Sequence, residues 1–413
     1  MLESHSPATG ELLGSVTTLA ARNVEAVVGQ VAAVQRFWSG LGREDRGRYL
    51  RRAAQAILDE LDELAELIAR EQGRPLVETL TMELLPGVAL LHRAARARHV
   101  SESRGVVGVA GGPATPFSAP LGELACALME GNGVVFVPAP SVCLVGERIG
   151  RLFQRAGLPD GLLRVIHGDD AVGGALARAS VTTAREPGGK APLVVLEDAS
   201  LSRAVRGALW GAFTNAGQGP AAIERVYVAR ELHERFSARL VAGAGRLRVG
   251  DPLQWSTEIG PLGSRDQLER VRELVDAAVA AGASLRCGGP IAVPGLPGPF
   301  YAPAVLSGAE AELRIMREPI PGPVLSIVAI DSDEHALRLA ADREHGLGAS
   351  IWTRERARSA RWYPYDESLG RAFAAGARIL YGRDADRAKA LRAGAQPMLR
   401  LARRLAHDGL RDH

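Results

Sequence analysis

Gly211-Ala212-Phe213-Thr214-Asn215-Ala216-Gly217-Gln218-Gly219-Pro220, running on through Ala221-Ala222-Ile223-Glu224 into Arg225-Val226-Tyr227-Val228, is the stretch from which the rest of this chain is read. Its last four residues have the composition of a strand. Outward from it, Leu193-Val194-Val195-Leu196 and Val324-Leu325-Ser326-Ile327-Val328-Ala329-Ile330 read as two further strands. Between them, Ser264-Arg265-Asp266-Gln267 has the spacing of a capping box and opens a helix through Val271, Val275 and Val279. Strands and helices alternate, so the region from about Pro192 reads as an α/β unit.

The preceding half carries the same alternation. Ser6-Pro7-Ala8-Thr9-Gly10-Glu11 reads as a turn, and two helical segments follow. The second, from about Asp45 to Gln72, sets Leu50, Ala54, Ile57, Leu61, Leu64 and Ile68 on one stripe, and Gly73 then Pro75 stop it. Gly105–Ala110, Gly133–Val137 and Leu162–Ile166 are short apolar runs that predict buried strands, with helices over about Pro120–Met129 and Val145–Ala156. A parallel, Rossmann-like sheet is the expected result. No glycine motif of phosphate-cradling length sits at these strand ends, Gly111-Gly112 being too short.

Composition narrows the class. The chain has 413 residues, 46% of them hydrophobic, which is enough for a substantial core and two or three domains. A net charge of +3 is spread over mixed acids and bases, so nothing argues for a nucleic-acid partner. Lys190 and Lys389 are the only lysines, which leaves few candidates for Schiff-base chemistry. No secretory leader or membrane span is recognised, and the expected location is cytoplasmic. Cys126, Cys143 and Cys287 stand far apart without paired spacing, against a zinc site or a disulfide framework. They read as small core hydrophobes. Cys143 differs in lying near an expected helix start, where the helix dipole would lower its pKa.

The last part of the chain has another character. After Trp362-Tyr363-Pro364-Tyr365, Leu369, Phe373, Ala377, Leu380, Met398, Leu399, Leu401 and Leu405 alternate with many arginines. The pattern predicts a basic amphipathic helical tail over 359–413. Such a tail packs on its own protein, docks on a protein partner or lies on an anionic membrane surface.

The run from Gly211 to Gln218 with Arg225–Val228 resembles the active-site segment of the aldehyde dehydrogenase superfamily, and the likeness extends from Ser6 to about Thr353. Pro116-Phe117-Ser118 with Pro120–Ala125 and Gly131-Asn132, Glu186-Pro187-Gly188-Gly189-Lys190, and Arg317–Val324 match further family segments. The resemblance implies an aldehyde dehydrogenase-like α/β fold. Its expected parts are a truncated Rossmann-like domain with the N-terminal helices at 1–186, a partial catalytic-like domain at 187–358, and the tail.

In the family a cysteine thiolate attacks the aldehyde, hydride passes to NAD(P), and a glutamate activates water to release the acid. The resemblance puts Pro220 at the nucleophile and Ala114 at the asparagine of the oxyanion hole. Proline lacks the backbone N–H that would be the second oxyanion donor. Glu186 stands where the general base stands, a vestigial base that reads as a solvated side chain unless a partner perturbs it. The ribose-binding positions become Val137, Pro140 and Pro319, and the phenylalanine next to the last becomes Pro321, so no cofactor position is intact. About sixteen residues, Asp170–Arg185, stand in place of the family's pyrophosphate-receiving strand and helix, and are expected to be too few for a strand plus a phosphate-receiving helix. Ala97–Val100 run almost directly into Gly105, where the family has an oligomerisation hairpin, so a dimer is not implied.

The expected function is a catalytically inactive family member with no cofactor, or one using NAD(P) if active. Two alternatives stand beside it. One is an NAD(P)-dependent oxidoreductase with a displaced thiol, Cys143 or Cys126; the other is a partner-binding or membrane-surface scaffold. No metal is expected.

Overall fold

The computed structural model describes residues 1–97, 101–182, 190–341, 349–355 and 380–381. A hairpin of β1 (Leu2–His5) and β2 (Leu12–Val16) encloses the expected turn, closed by the Ser6–Glu11 and Gly10–Ser6 backbone bonds. Helices follow: α1 (Val24–Ser39), α2 (Arg43–Asp59), α3 (Leu61–Gln72), the short α4 (Leu76–Glu78), a π-helical turn at Thr79–Leu84, and α5 (Leu85–Ala95).

The single helix expected over Asp45–Gln72 is two. Glu60 leaves helical geometry at φ −115° and ψ 25°, and its carboxylate pairs with Arg148 at 2.7 Å and with Arg155. The apolar stripe continues across the break, which is why its periodicity conceals it. α3 then ends where the sequence indicates, at Gly73 in the left-handed region (φ 81°). A Cβ there would lie 2.7 Å from Pro261 Cγ, so this cap also sets the approach of a distant segment.

The next stretch runs β3 (Val106–Ala110), α6 (Ser118–Met129), β4 (Gly133–Val137), α7 (Cys143–Arg155), β5 (Leu163–Val165), α8 (Asp170–Ala179) and β6 (Val181–Thr182). Its four strands pair in parallel in the order β5-β4-β3-β6. Val107, Val109, Val134 and Phe136 join the core under α2, α6 and α7, while Val106, Val135 and Val137 join the one under α1 and α8. Both faces of the central strands β3 and β4 are covered, so their positions are apolar or glycine, and the short runs follow.

The interval after Asp169 does supply a helix and a strand: α8, capped by the Asp169 carboxylate on Ala171 N–H and Val172 N–H, then β6 beside β3. The helix precedes the strand, however, and the pairing is two residues long.

The second sheet is built from β7 (Ala191–Val195), α9 (Leu201–Phe213), β8 (Ile223–Ala229), α10 (Arg230–Ala244), α11 (Arg265–Ala280), β9 (Ser284–Pro290), β10 (Tyr301–Ser307), α12 (Arg314–Arg317), β11 (Val324–Ile330), α13 (Asp333–Ala341), β12 (Ser350–Trp352) and β13 (Leu380–Tyr381). Its order is β13-β12-β7-β8-β11-β10-β9, parallel except for the β9–β10 pair. The central strands β7 and β8 are buried along their whole length. Of the region expected to be a basic helical tail, the described residues include only Leu380 and Tyr381, and these two are a strand beside β12. The rest of the tail lies outside the described residues.

Ser264 caps α11 through its Oγ, which accepts from Gln267 N–H at 3.1 Å. The reciprocal half of the expected capping box is absent. Gln267 instead turns its amide to Gln218 Oε1 (2.9 Å) and to the Pro321 carbonyl, and so ties α11 to the loop before β8.

Candidate functional site

α9 runs out at Phe213, and the chain must reverse within a few residues to enter β8. It does so through three consecutive left-handed residues: Asn215 (φ 52°), Ala216 (φ 51°) and Gly217 (φ 68°). Asn tolerates this region and Gly favours it, whereas alanine there is strained, so the surroundings must impose the conformation. Several contacts do. Gly217 lies so close to the backbone of Gly322 that a Cβ would be 2.3 Å from its carbonyl oxygen. Gln218 donates to Asn215 O at 2.9 Å and accepts from Gly263 N–H at 3.0 Å and from Gln267. Asn215 donates its backbone N–H to Glu78 Oε2 at 2.7 Å and its side-chain amide to Ala114 O at 3.3 Å.

Beneath the loop lies a buried polar cluster carried by the turn after α3 and by the π-helical turn. Arg74, 2% exposed, donates to Gln72 Oε1 and to the Ala114 carbonyl and pairs with Glu83 at 3.4 Å. Glu83 in turn accepts from Phe117 N–H and Ser118 N–H at 3.1 and 2.8 Å, holding the start of α6. Gln72 donates to the carbonyls of Pro113 and Ala114. Glu78, half-buried at the end of α4, is the second carboxyl near Arg74. Burial pushes it up to about 7, against the opposing pull of Arg74 and of the Asn215 N–H.

Ala114 and the loop are therefore in contact. What Ala114 offers is its carbonyl oxygen, an acceptor with three side-chain donors aimed at it, and not a donor. Pro220 lies five residues past Asn215 on an exposed turn, where Ala222 N–H closes back on Gly219 O, and β8 begins at Ile223. Pro321 is tied to the loop through Gln267, while Pro319 is exposed beside Glu318. Val137 and Pro140 are at and just past the carboxyl end of β4: Val137 is buried and Pro140 exposed. Glu186 falls outside the described residues.

The thiols do not gather at the loop. Cys143 is at the start of α7 as expected, but its pKa moves the other way, up to about 11, because burial and then the neighbouring Glu71 carboxylate disfavour a thiolate. Glu71 occupies the helix start itself, accepting from Leu144 N–H and Val145 N–H at 2.8 Å each and from Ser4 Oγ at 2.6 Å. Cys126 lies on the exposed face of α6, and desolvation followed by the charges of Glu130 and Glu123 raises its thiol as well. Cys287 is half-buried on β9, raised chiefly by burial.

Lys190 packs on the amino end of β8. Its Nζ meets Glu224 Oε2 at 2.6 Å, and the same oxygen accepts Ile320 N–H at 2.8 Å. This buried pair binds the segment of Pro319 and Pro321 to the strand that the loop feeds. Arg74, Glu78, Glu83, Glu71 and the Gln218–Gln267 pair were not foreseen from the sequence. The available signal was that Glu71 and Arg74 flank the Gly73 helix stop, where charged side chains turn inward.

An open cleft lies elsewhere, rimmed by Glu197, Glu231, Asp331, Asp333, Glu334 and Glu355. It sits at the carboxyl ends of β7, β8 and β11, whereas the loop enters β8 at its amino end. Seven strand residues, roughly 20 Å at ~3.3 Å each, separate the two. Among the described residues no His, Cys, Asp and Glu cluster could hold a metal ion, and no helix is long and apolar enough to cross a membrane.

A family model described as the aldehyde dehydrogenase family matches residues 1–184 and 179–365. Among solved structures, PnpE from Pseudomonas sp. WBC-3 is 27% identical, with 92% of this chain and 85% of that one covered at a TM-score of 0.85. A putative aldehyde dehydrogenase from Burkholderia cenocepacia is also 27% identical, over 88% and 83%, at 0.84. The aldehyde dehydrogenase of Bacillus cereus in its NAD+ complex is 26% identical, over 87% and 82%, at 0.82.

Proposed function

The chain belongs to the aldehyde dehydrogenase family, and from that premise we propose that it is a non-catalytic member of it. One observation carries the reading. The loop that would present the nucleophile keeps its strained, hydrogen-bonded frame, yet ends in an exposed Pro220 that has neither a thiol nor an N–H. A thiolate and two oxyanion donors must meet at the aldehyde carbon for the family's chemistry. At the side-chain donor position, Ala114 has only a methyl group, and its backbone carbonyl oxygen is an acceptor already engaged by Gln72, Arg74 and Asn215.

The cofactor positions are altered in the same direction. A dinucleotide needs hydrogen-bond partners for its ribose hydroxyls and free helix N-termini for its phosphates. Val137, Pro140 and Pro319 offer no side-chain donor, and the first turns of α7 and α8 are taken by the carboxylates of Glu71 and Asp169. These residues do not fit NAD(P). The displaced-thiol reading is disfavoured by the upward shift of both Cys143 and Cys126. What remains is a role in binding a protein partner or surface.

Purified full-length protein is expected to form no NADH or NADPH with any of a panel of aliphatic and aromatic aldehydes, and to give no saturable quenching on titration with NADH. Pro220→Cys combined with Ala114→Asn should stay inactive. Turnover by the wild-type chain that Glu186→Ala abolishes would overturn the proposal.

A further inference from the structure

The loop and the cluster beneath it carry a charge imbalance whose consequence does not depend on whether the chain catalyses anything. Two carboxyls, Glu78 and Glu83, face one guanidinium, Arg74. Glu83 is fully buried and spends its second oxygen on the N–H groups of Phe117 and Ser118, so it is the carboxyl that Arg74 neutralises. Glu78 is left with the Asn215 N–H and a share of the Arg74 field. The turn that covers it, Thr214-Asn215-Ala216-Gly217, brings no charged side chain.

We propose that the 214–217 turn closes by taking up a proton, seating over Glu78 with that carboxyl neutral and opening towards water when it ionises. The acceptor needed by the Asn215 N–H is kept in both forms, because a neutral carboxyl still has its carbonyl oxygen. What changes is the cost of keeping the group out of water, which is large for a carboxylate and small for the acid. Opening also releases the left-handed strain at Asn215 and Ala216, so the turn has a reason to move once the seat is unfavourable.

The sign follows from linkage. In the closed form Glu78 titrates at about 7, and in the open, hydrated form it returns towards 4.5. Closure therefore binds a proton between those values, and the closed population falls as pH rises through 7. A difference of this size changes the opening equilibrium on the order of a hundredfold between pH 5 and pH 8.

Hydrogen–deuterium exchange on the full-length chain tests this, following a peptide across the 214–217 turn and one from α11, with rates corrected for intrinsic chemical exchange at each pH. Loop protection is expected to fall on the order of a hundredfold from pH 5 to pH 8 and to stay below that of α11 throughout. Glu78→Gln, permanently neutral, should flatten the loop profile at the protected end. Wild-type loop protection that is flat or rises with pH overturns the proposal, and so does a Glu78→Gln protein that keeps the wild-type slope. Protection of loop and α11 that coincides at every pH also overturns it, since opening would then be global. If Glu78→Gln does not fold, the wild-type profile decides alone.

Discussion

The eight residues between Thr214 and Ala221 divide into two halves that differ in every physical respect. Asn215, Ala216 and Gly217 are buried and held at positive φ, and Asn215 is bonded to segments more than a hundred residues away. Gly219, Pro220 and Ala221 reach no hydrogen-bond partner beyond the local turn among the described residues and lie towards solvent. A loop in this position is a scaffold first and a chemical site second, and the two uses separate at Gln218. The scaffold half is needed for β8, α11 and the N-terminal helices to meet, whatever the other half does.

The largest effects should fall on the buried side. Arg74→Ala removes the one cation between Glu83 and Glu78 among the described residues, leaves the Ala114 carbonyl with fewer donors and strands a buried carboxylate. A loss of about 3–5 kcal/mol is expected in urea unfolding. A change below about 1 kcal/mol would show that water already serves these groups. Gly217→Ala comes next. It combines a positive φ with a Cβ placed 2.3 Å from Gly322 O, and about 3 kcal/mol is expected, with a lower unfolding midpoint and an unchanged denaturant slope.

Glu78 gives a pH signature to the same half. Its folded-state pKa is raised from 4.5 to about 7, so its contribution to stability is complete below pH 4.5, is lost progressively as pH rises, and is gone above about 7. The span is at most roughly 3 kcal/mol, since each pKa unit is ~1.36 kcal/mol. Stability measured by urea unfolding between pH 5 and pH 8 should fall less steeply in Glu78→Gln than in the wild-type chain. Equal slopes would remove Glu78 as the source. Gln267→Ala tests the outer frame: it deletes the donor shared by Gln218 and Pro321, and about 1–2 kcal/mol is expected by thermal unfolding.

The division also explains what the sequence reveals. Strands such as Gly133–Val137, and Val324–Ile330 with the single interruption of Ser326, are apolar runs, a local signal that burial on both faces produces. The fold is legible for that reason. The break at Glu60 is not, because the apolar stripe crosses it and its cause is a contact with Arg148 and Arg155 of α7. Likewise Cys143 is correctly placed at a helix start, but the occupant of that start, Glu71, is over seventy residues away. The capping box misled because spacing alone cannot say that Gln267 has a better use than Ser264 N–H. At the site, Pro220 and Ala114 are visible because residue identity alone removes their chemistry. Glu78 and Arg74 are visible only once the chain has folded over them.

The smallest effect is expected where the chemistry would have been. Pro220 is exposed and its ring fills no core, so Pro220→Ala loses only the restriction of φ in the unfolded chain, a few tenths of a kcal/mol. Its effect on the unfolding midpoint should sit within about 0.5 kcal/mol of zero, the range of ordinary surface substitutions. This substitution also restores a backbone N–H between Gly219 and Ala221. If that N–H had a closed pocket to serve, the variant would gain protection in the following turn and stabilise measurably. A stabilisation above about 1 kcal/mol would therefore mean that the second half of the loop belongs to the buried frame. The contrast drawn at Gln218 would then be lost.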